Sequence, residues 1–291
     1  MYTDMELERL RKDAVNQFWI RVGIVIAAAL CCVMLSPFLM IFVALAGIVI
    51  VALLPNSRKK KYIAAVKDSA VRNLFEDAFG SVQVDYSRGF SKNFISDTGL
   101  LTMGNEYSSD DYVSGEYNGV TFSRSDVYVA DTSSDGEGNS STTVYFEGRW
   151  MVFKFPKELS GDLQVFEKSF HYAKKRKGLF TRKSERRHEI FLEDEDFNKR
   201  YVVMAQDDHD AFYFLTPHMM EKIDRYCSNS DGRFMLGIIG PYLHVAINNS
   251  KNPMEPSIFR KNDVEEVRNE VSNEIELIRR TVEEFNLDIY Q

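Results

Sequence analysis

The sequence predicts an α+β fold: an N-terminal transmembrane helical hairpin, then a mainly antiparallel sheet domain with flanking helices and a long C-terminal amphipathic helix. Three observations predict it. Residues 22–57, between Arg21 and Arg58, carry no formal charge. After Gly80 come segments rich in Val, Tyr, Phe and Thr, divided by Gly, Asn and Asp turns. The chain closes on "NDVEEVRNEVSNEIELIRRTVEEF", where Val264, Val267, Val271, Ile275, Ile278, Val282 and Phe285 recur at spacings of three and four.

The chain opens on "TDME", which has the form of a capping box: Glu6 can reach back to the Thr3 backbone. Leu7, Leu10 and Ala14 follow at helical spacing, so residues 1–17 read as an amphipathic segment with a short surface helix over 4–16. The apolar run behind it is more than twice the roughly 7–15 residues of a signal-peptide core. It is also too long for one straight crossing. A helix from Val22 to Ser57 would measure roughly 54 Å, against a hydrocarbon core about 30 Å thick. Splitting it at Ser36-Pro37 gives two spans, Phe18–Leu35 and Phe38–Leu54, within residues 18–54. The residue before a proline is pushed out of the helical region, so a turn there is physically natural. A single tilted or kinked span is the alternative, since proline is tolerated within membrane helices. Arg9, Arg11, Lys12 and Arg21 flank one end and Arg58, Lys59, Lys60 and Lys61 the other, whereas the turn has no cation. The positive-inside rule then puts both ends in the cytoplasm, as in a multi-pass membrane protein.

Composition agrees with that division. A 44% hydrophobic chain with seven prolines is globular in character. Residues 1–61 hold eight Lys/Arg and four Asp/Glu, so of the net −7 the remainder carries −11. Of three cysteines, Cys31 and Cys32 lie in the apolar run, leaving Cys227 without a partner for a disulfide framework.

Residues 58–80 read as a connecting helix, apolar at 63, 66, 70, 71, 74, 75 and 78, with Gly80 as its stop. Residues 81–291 form the soluble domain. Its expected strands are "SVQVDY", "GVTFSRSDVYVAD", "STTVYFEGRWMVFKF", "GDLQVFEK", "HEIFLE", "KRYVVMAQ", "RFMLGII" and "YLHVAIN", the last two joined at Gly240-Pro241. Between them "LTPHMMEKIDRYC" offers Thr216 as cap and Pro217 at the first helical position. The C-terminal stripe is suited to packing on a sheet or to a partner helix.

The blocks "GVTFSRSDVYV", "YFEGRWMVFKFPKELSGDLQVF" and "EIFLEDEDFNKRYVVMAQDDHDAFYFLTPHMMEKI", spread over residues 60–260, resemble those of a bacterial membrane-protein family known only as a domain of unknown function. The resemblance implies a membrane anchor, and with the cationic flanks a bacterial inner membrane, and an α+β soluble domain. It implies no activity, cofactor or site residue.

The residues themselves offer little catalytic chemistry. No Walker loop, dinucleotide fingerprint, G-x-S-x-G elbow or H-E-x-x-H pair occurs in the sequence. "DTSSDGEGN", Asp131 to Asn139, imitates half a calcium loop, but the twelfth position is Thr142 and the flanks read as strands, so a hairpin loop is expected. The five histidines show no metal-ligand spacing, and no metal or other cofactor is expected. Asp207, Asp208, His209 and Asp210 form a polar cluster that could serve an enzyme of unrecognised type, or form a solvated turn. Cys227 has no base beside it in sequence and reads as a buried thiol. The outstanding charge feature is Lys168–Arg187, with nine Lys/Arg and one acid. Within it Lys174, Lys175, Arg176, Lys177, Arg182, Lys183, Arg186 and Arg187 are candidates for contact with anionic lipid head groups, each nearby cation being worth about 1 kcal/mol. A solvated loop pairing with Glu193–Asp196 explains the same residues. Nucleic acid is disfavoured by the acidic remainder of the domain. The expected function is therefore a membrane-anchored cytoplasmic binding or scaffolding module, its partners being the bilayer and a protein ligand, with the Asp207–Asp210 enzyme as the alternative.

Overall fold

A computed structural model describes residues 2–33, 37–53, 56–135, 139–154, 161–170, 187–250, 254, 256–260, 263–285 and 287. The chain divides into two compact units, one of residues 1–74 and 253–273, the other of 75–252 and 274–291. The first boundary falls inside the helix expected over 58–80, and the first unit also takes in a stretch near the C-terminus.

In the first unit, α1 (Asp4–Val33) runs unbroken from the charged turns into the apolar stretch, so the surface helix expected over 4–16 is the beginning of the apolar helix. Its capping box forms as read: the Thr3 amide donates to Glu6 Oε2 (2.7 Å) and the Glu6 amide to Thr3 Oγ1 (3.3 Å). Among the described residues one helix, Asp4–Cys31, is long and apolar enough to cross a membrane. The second apolar helix, α2 (Pro37–Leu53), has 17 residues and extends about 25 Å. It lies against α1, where a Cβ added at Gly47 would fall 2.2 Å from a Val25 methyl. Small residues allow such close helix contact. Trp19, Ile20, Ile24, Ile26 and Leu30 of α1 and Ile41, Phe42, Leu45, Ile48 and Val49 of α2 are exposed. The proposed turn at Ser36 lies outside the described residues.

After α2, Asn56 caps α3 (Ser57–Val66) by accepting from the Lys59 amide. The same residue donates to the Ala14 carbonyl (3.3 Å), the Arg58 amide donates to Gln17 Oε1 (3.2 Å), and the Arg58 guanidinium stands 4.0 Å from Asp13. The two ends of the apolar stretch therefore lie side by side. A π-helical segment (Lys67–Arg72) and α4 (Asn73–Phe79) follow. Gly80 ends α4 with φ +75°, its amide donating to the Glu76 carbonyl. Residues 256–260 pack on α1: Arg11 Nη1 donates to the Ile258 carbonyl (3.0 Å), and the Phe18 and Phe259 rings meet edge to face at 5.1 Å. The described part of this unit also holds a cleft of about 440 Å³ lined by residues that include Asp4, Lys12, Tyr62 and Arg268.

The second unit is built on a nine-stranded antiparallel sheet of order β1-β2-β3-β4-β9-β8-β5-β7-β6. Its strands are β1 (Gln83–Asp85), β2 (Glu106–Tyr117), β3 (Val120–Ser134), β4 (Ser140–Lys154), β5 (Leu163–Glu167), β6 (His188–Ile190), β7 (Tyr201–Ala205), β8 (Arg233–Ile239) and β9 (Tyr242–Asn248). Six of these fall within expected segments, β3 and β4 overlap theirs and run past one end, and β2 was not expected. Its sequence, "EYSSDDYVSGEY", lacks the apolar alternation of a half-buried strand because most of it stays partly exposed. It is held by pairing with β3 through the two-residue turn Asn118-Gly119, whose φ values of +49° and +78° are those of a type I′ hairpin.

Side chains alternate across the sheet. One face buries Val127, Val129, Phe146, Trp150, Val152, Phe166, Met235 and Ala246 together with Phe90, Leu100, Leu101 and Ile95 of α5 (Lys92–Thr98). Gly237 gives room for this packing, since a Cβ there would meet the Leu100 methyls at 2.6 and 2.7 Å. On the same face Trp150 Nε1 donates to His244 Nδ1 at 3.2 Å. Burial pushes that imidazole down to about 3, so it stays neutral. On the other face pack α8 (Pro217–Ser228) and the C-terminal half of α9 (Asp263–Glu284). Thr216 caps α8 as expected, accepting from the Met219 amide. Tyr226 of α8 shares a hydrogen bond with Thr281 (2.7 Å), and its ring packs on Phe234 and Phe285. Two further short helices, α6 (Glu195–Arg200) and α7 (Asp208–Phe214), lie where turns or strand ends were expected.

Candidate functional site

The densest buried chemistry lies where β2, β3 and α9 meet in the second unit. A register shift between Asp110 and Val113 interrupts β2, and Asp111 takes φ +53°, a left-handed conformation that few non-glycine residues adopt. This bulge lets neighbouring aspartates, which would face opposite sides of a regular strand, bring carboxylate oxygens to the same place. Asp110, Asp111 and Asp126 of β3 each offer an oxygen within 4.8 Å of the others. Arg124, two residues from Asp126 and on the same face, is fully buried. It donates through Nε to Glu274 of α9, through Nη2 to Asp126 Oδ1 (2.9 Å) and through Nη1 to the Asp111 carbonyl (2.8 Å).

Each carboxylate uses one oxygen on the guanidinium. The second oxygens, Asp126 Oδ2 and Glu274 Oε2, are buried without a hydrogen-bond partner among the described residues. Burial opposes the charge on Arg124, but Asp126 and Glu274 outweigh it and hold the guanidinium protonated. Burial raises the Asp126 carboxyl well above the ordinary aspartate range; Arg124 opposes this and Glu274 reinforces it. Arg149 of β4 sits opposite Asp126 in the register and is itself buried. Apart from Asp110 the cluster is closed to solvent. The arrangement holds α9 on the sheet through Arg124 and Glu274, with Asp110 as its solvent-facing member.

Sequence reasoning missed this cluster, although one signal was present. Glu274 stands on the apolar stripe of α9, three residues after Val271 and four before Ile278, where an acid must be buried.

The residues singled out from sequence have other places. Asp207 caps α7 by accepting from the His209 amide (2.8 Å), Asp208 pairs with His188 (2.5 Å), and the buried Asp210 accepts from the Gly161 amide (2.8 Å). His209 stacks on Tyr213. Three carboxylates thus serve three separate structural contacts, and the structure does not bring the tetrad together as one site. Arg187, the described member of the basic set, is turned inward and donates to the Thr98 and Gly99 carbonyls at the end of α5. Lys174, Lys175, Arg176, Lys177, Arg182, Lys183 and Arg186 lie outside the described residues. Cys227 is buried, and burial pushes its thiol up to about 12. At the hairpin of β3 and β4, Asp135 accepts from the Asn139 amide (2.8 Å), and the flanks are strands as expected.

The fold and this cluster define the class: an α+β protein with an apolar N-terminal helix and a nine-stranded antiparallel sheet locked to its last helix by buried ions. Residues 144–287 match the family described as "Protein of unknown function (DUF3137)", so the chain carries a domain of unknown function, as the resemblance implied. No curated protein matches the chain. Among solved structures, that of the mycobacterial trehalose monomycolate transport factor A, TtfA, is similar at 9% identity and a TM-score of 0.38, covering 75% of this chain and 95% of that one. At that likeness nothing said of that protein transfers.

Proposed function

We propose that the protein is a membrane-tethered binding or scaffolding module without catalysis of its own. A two-helix hairpin would hold it in a bacterial inner membrane with the domain after Arg58 in the cytoplasm. One observation carries the reading: Asn56 and Arg58 bond back to Ala14 and Gln17, so the chain leaves the apolar stretch beside its point of entry. The exposed apolar side chains of α1 and α2 and the exposed cations Arg58, Lys59, Lys60 and Lys61 support it. The basic residues between Lys174 and Arg186 would add contact with the anionic leaflet.

Topology in intact cells tests this reading. In a chain with its native cysteines replaced, Ser36→Cys should react with an impermeant maleimide from the outer side and Lys60→Cys should not. A reporter fused after Gln291 should be active in the cytoplasm. A reporter active outside would overturn the hairpin. Liposome sedimentation of the wild type and a charge-neutralised 174–186 segment, over a range of anionic lipid and salt, tests the leaflet contact.

A further inference from the structure

We infer that residues 256–260 form a second foothold on the membrane, with Phe259 inserted beside Trp19 at the boundary between lipid head groups and acyl chains. The inference rests on the reading that α1 crosses a bilayer. Phe18 and Trp19 stand where α1 passes from the turns carrying Arg11, Lys12 and Asp13 into its apolar stretch. Phe18 joins two exposed rings: its centroid lies 5.5 Å from Trp19 and 5.1 Å from Phe259, edge to face in both cases. Phe259 and Trp19 are each 58% exposed, and Ile20 next to them 63%.

The segment is fixed in this position. Ile258 is buried, its carbonyl is held by Arg11, and the Phe259 amide donates to Ser257 Oγ (3.2 Å). Anchored on one side, the loop directs the next ring outward. A scattered exposed phenylalanine needs no explanation, but this one extends a continuous apolar surface that begins on α1. The occupant is set by what adjoins it. Toward α1's C-terminus the surface is apolar and exposed. At its own level the Arg58 amide bonds to Gln17, which brings the exposed Arg58, Lys59, Lys60 and Lys61 to the same end. Aromatic rings below a rim of cations match the head-group boundary of an anionic bilayer.

Bromolipid quenching tests the inference on the full chain reconstituted in vesicles of anionic and zwitterionic lipid. The W19F chain keeps Trp150, buried in the sheet core, as a constant background. Adding Phe259→Trp should give emission that bromines near the head groups quench strongly and bromines near the chain ends quench weakly. Leu30→Trp in the same W19F background reports the anchor and should be quenched by the deep bromines. If F259W is unquenched while L30W is quenched, the anchor holds and the foothold is wrong. Stronger quenching of F259W by deep bromines would also overturn the boundary assignment. If neither is quenched, the membrane reading fails and this inference falls with it.

Discussion

Arg124 and Glu274, 150 residues apart in sequence, are joined by a hydrogen bond from Nε to Oε1 with both side chains fully buried. Removing Arg124 leaves Glu274 and Asp126 as buried carboxylates without their cation, whereas removing Glu274 leaves Arg124 still paired with Asp126. Arg124→Ala is expected to cost about 3–5 kcal/mol, Glu274→Ala less, and Arg124→Met with Glu274→Leu and Asp126→Asn together much less than Arg124→Ala. Denaturant unfolding of the three variants in detergent checks this; a triple variant as costly as Arg124→Ala would show that the three buried charges are not the unit.

The burial of the Asp126 carboxyl sets the sign of its pH-dependent contribution. Burial, reinforced by Glu274, raises its folded-state pKa above the unfolded value of about 3.9. The folded chain therefore keeps a proton that the unfolded chain releases. This contribution is full below about pH 4 and is lost as the pH rises through the folded value. Thermal melts across that window should show a decline that Asp126→Asn flattens.

His244 works in the opposite direction. Its folded pKa is about 3 and its unfolded pKa about 6.5, so between these values only the unfolded chain takes up a proton. Stability should fall as the pH drops from about 6.5 toward 3. His244→Gln, which can still accept from Trp150 Nε1, should remove that acid-side loss in the same melts.

Gly237 carries a steric prediction. Gly237→Ala drives a methyl into the Leu100 side chain and should destabilise the domain by about 1–3 kcal/mol. Leu100→Ala introduced beside it should recover part of the loss, measured as a shift in denaturation midpoint at constant slope.

Much of this fold was legible in the sequence, and the failures have physical causes. Segments rich in Val, Tyr, Phe and Thr marked eight of nine strands, most of which bury at least one face. β2 was passed over because it is polar and partly exposed, yet its turn was on the page: Asn118-Gly119 is the dipeptide a type I′ hairpin requires. Helices α6 and α7 were missed although Asp194 and Asp207 stand as caps before them. Each helix is six or seven residues long, too short for an apolar stripe to declare itself.

The buried cluster was harder to foresee. Arg124, Asp126 and Glu274 meet only once strand register and helix docking are set, and no local spacing encodes that meeting. Asp207–Asp210 shows the converse. Four polar residues adjacent in sequence pointed to one site, but a cap, a surface pair and a buried amide contact draw their side chains apart.

The order of strands has a consequence for how the protein is made. β4 ends at Lys154, and its sheet neighbour β9 begins only at Tyr242. At about 5–20 residues per second, roughly 4–18 s separate the synthesis of the two. Throughout that interval the long edge of β4 has no native partner, and an open edge invites pairing with another chain. Biogenesis is thus most exposed to aggregation midway through translation, and mutations that slow the pairing of β8 with β9 should lower yield before they lower the stability of the finished fold.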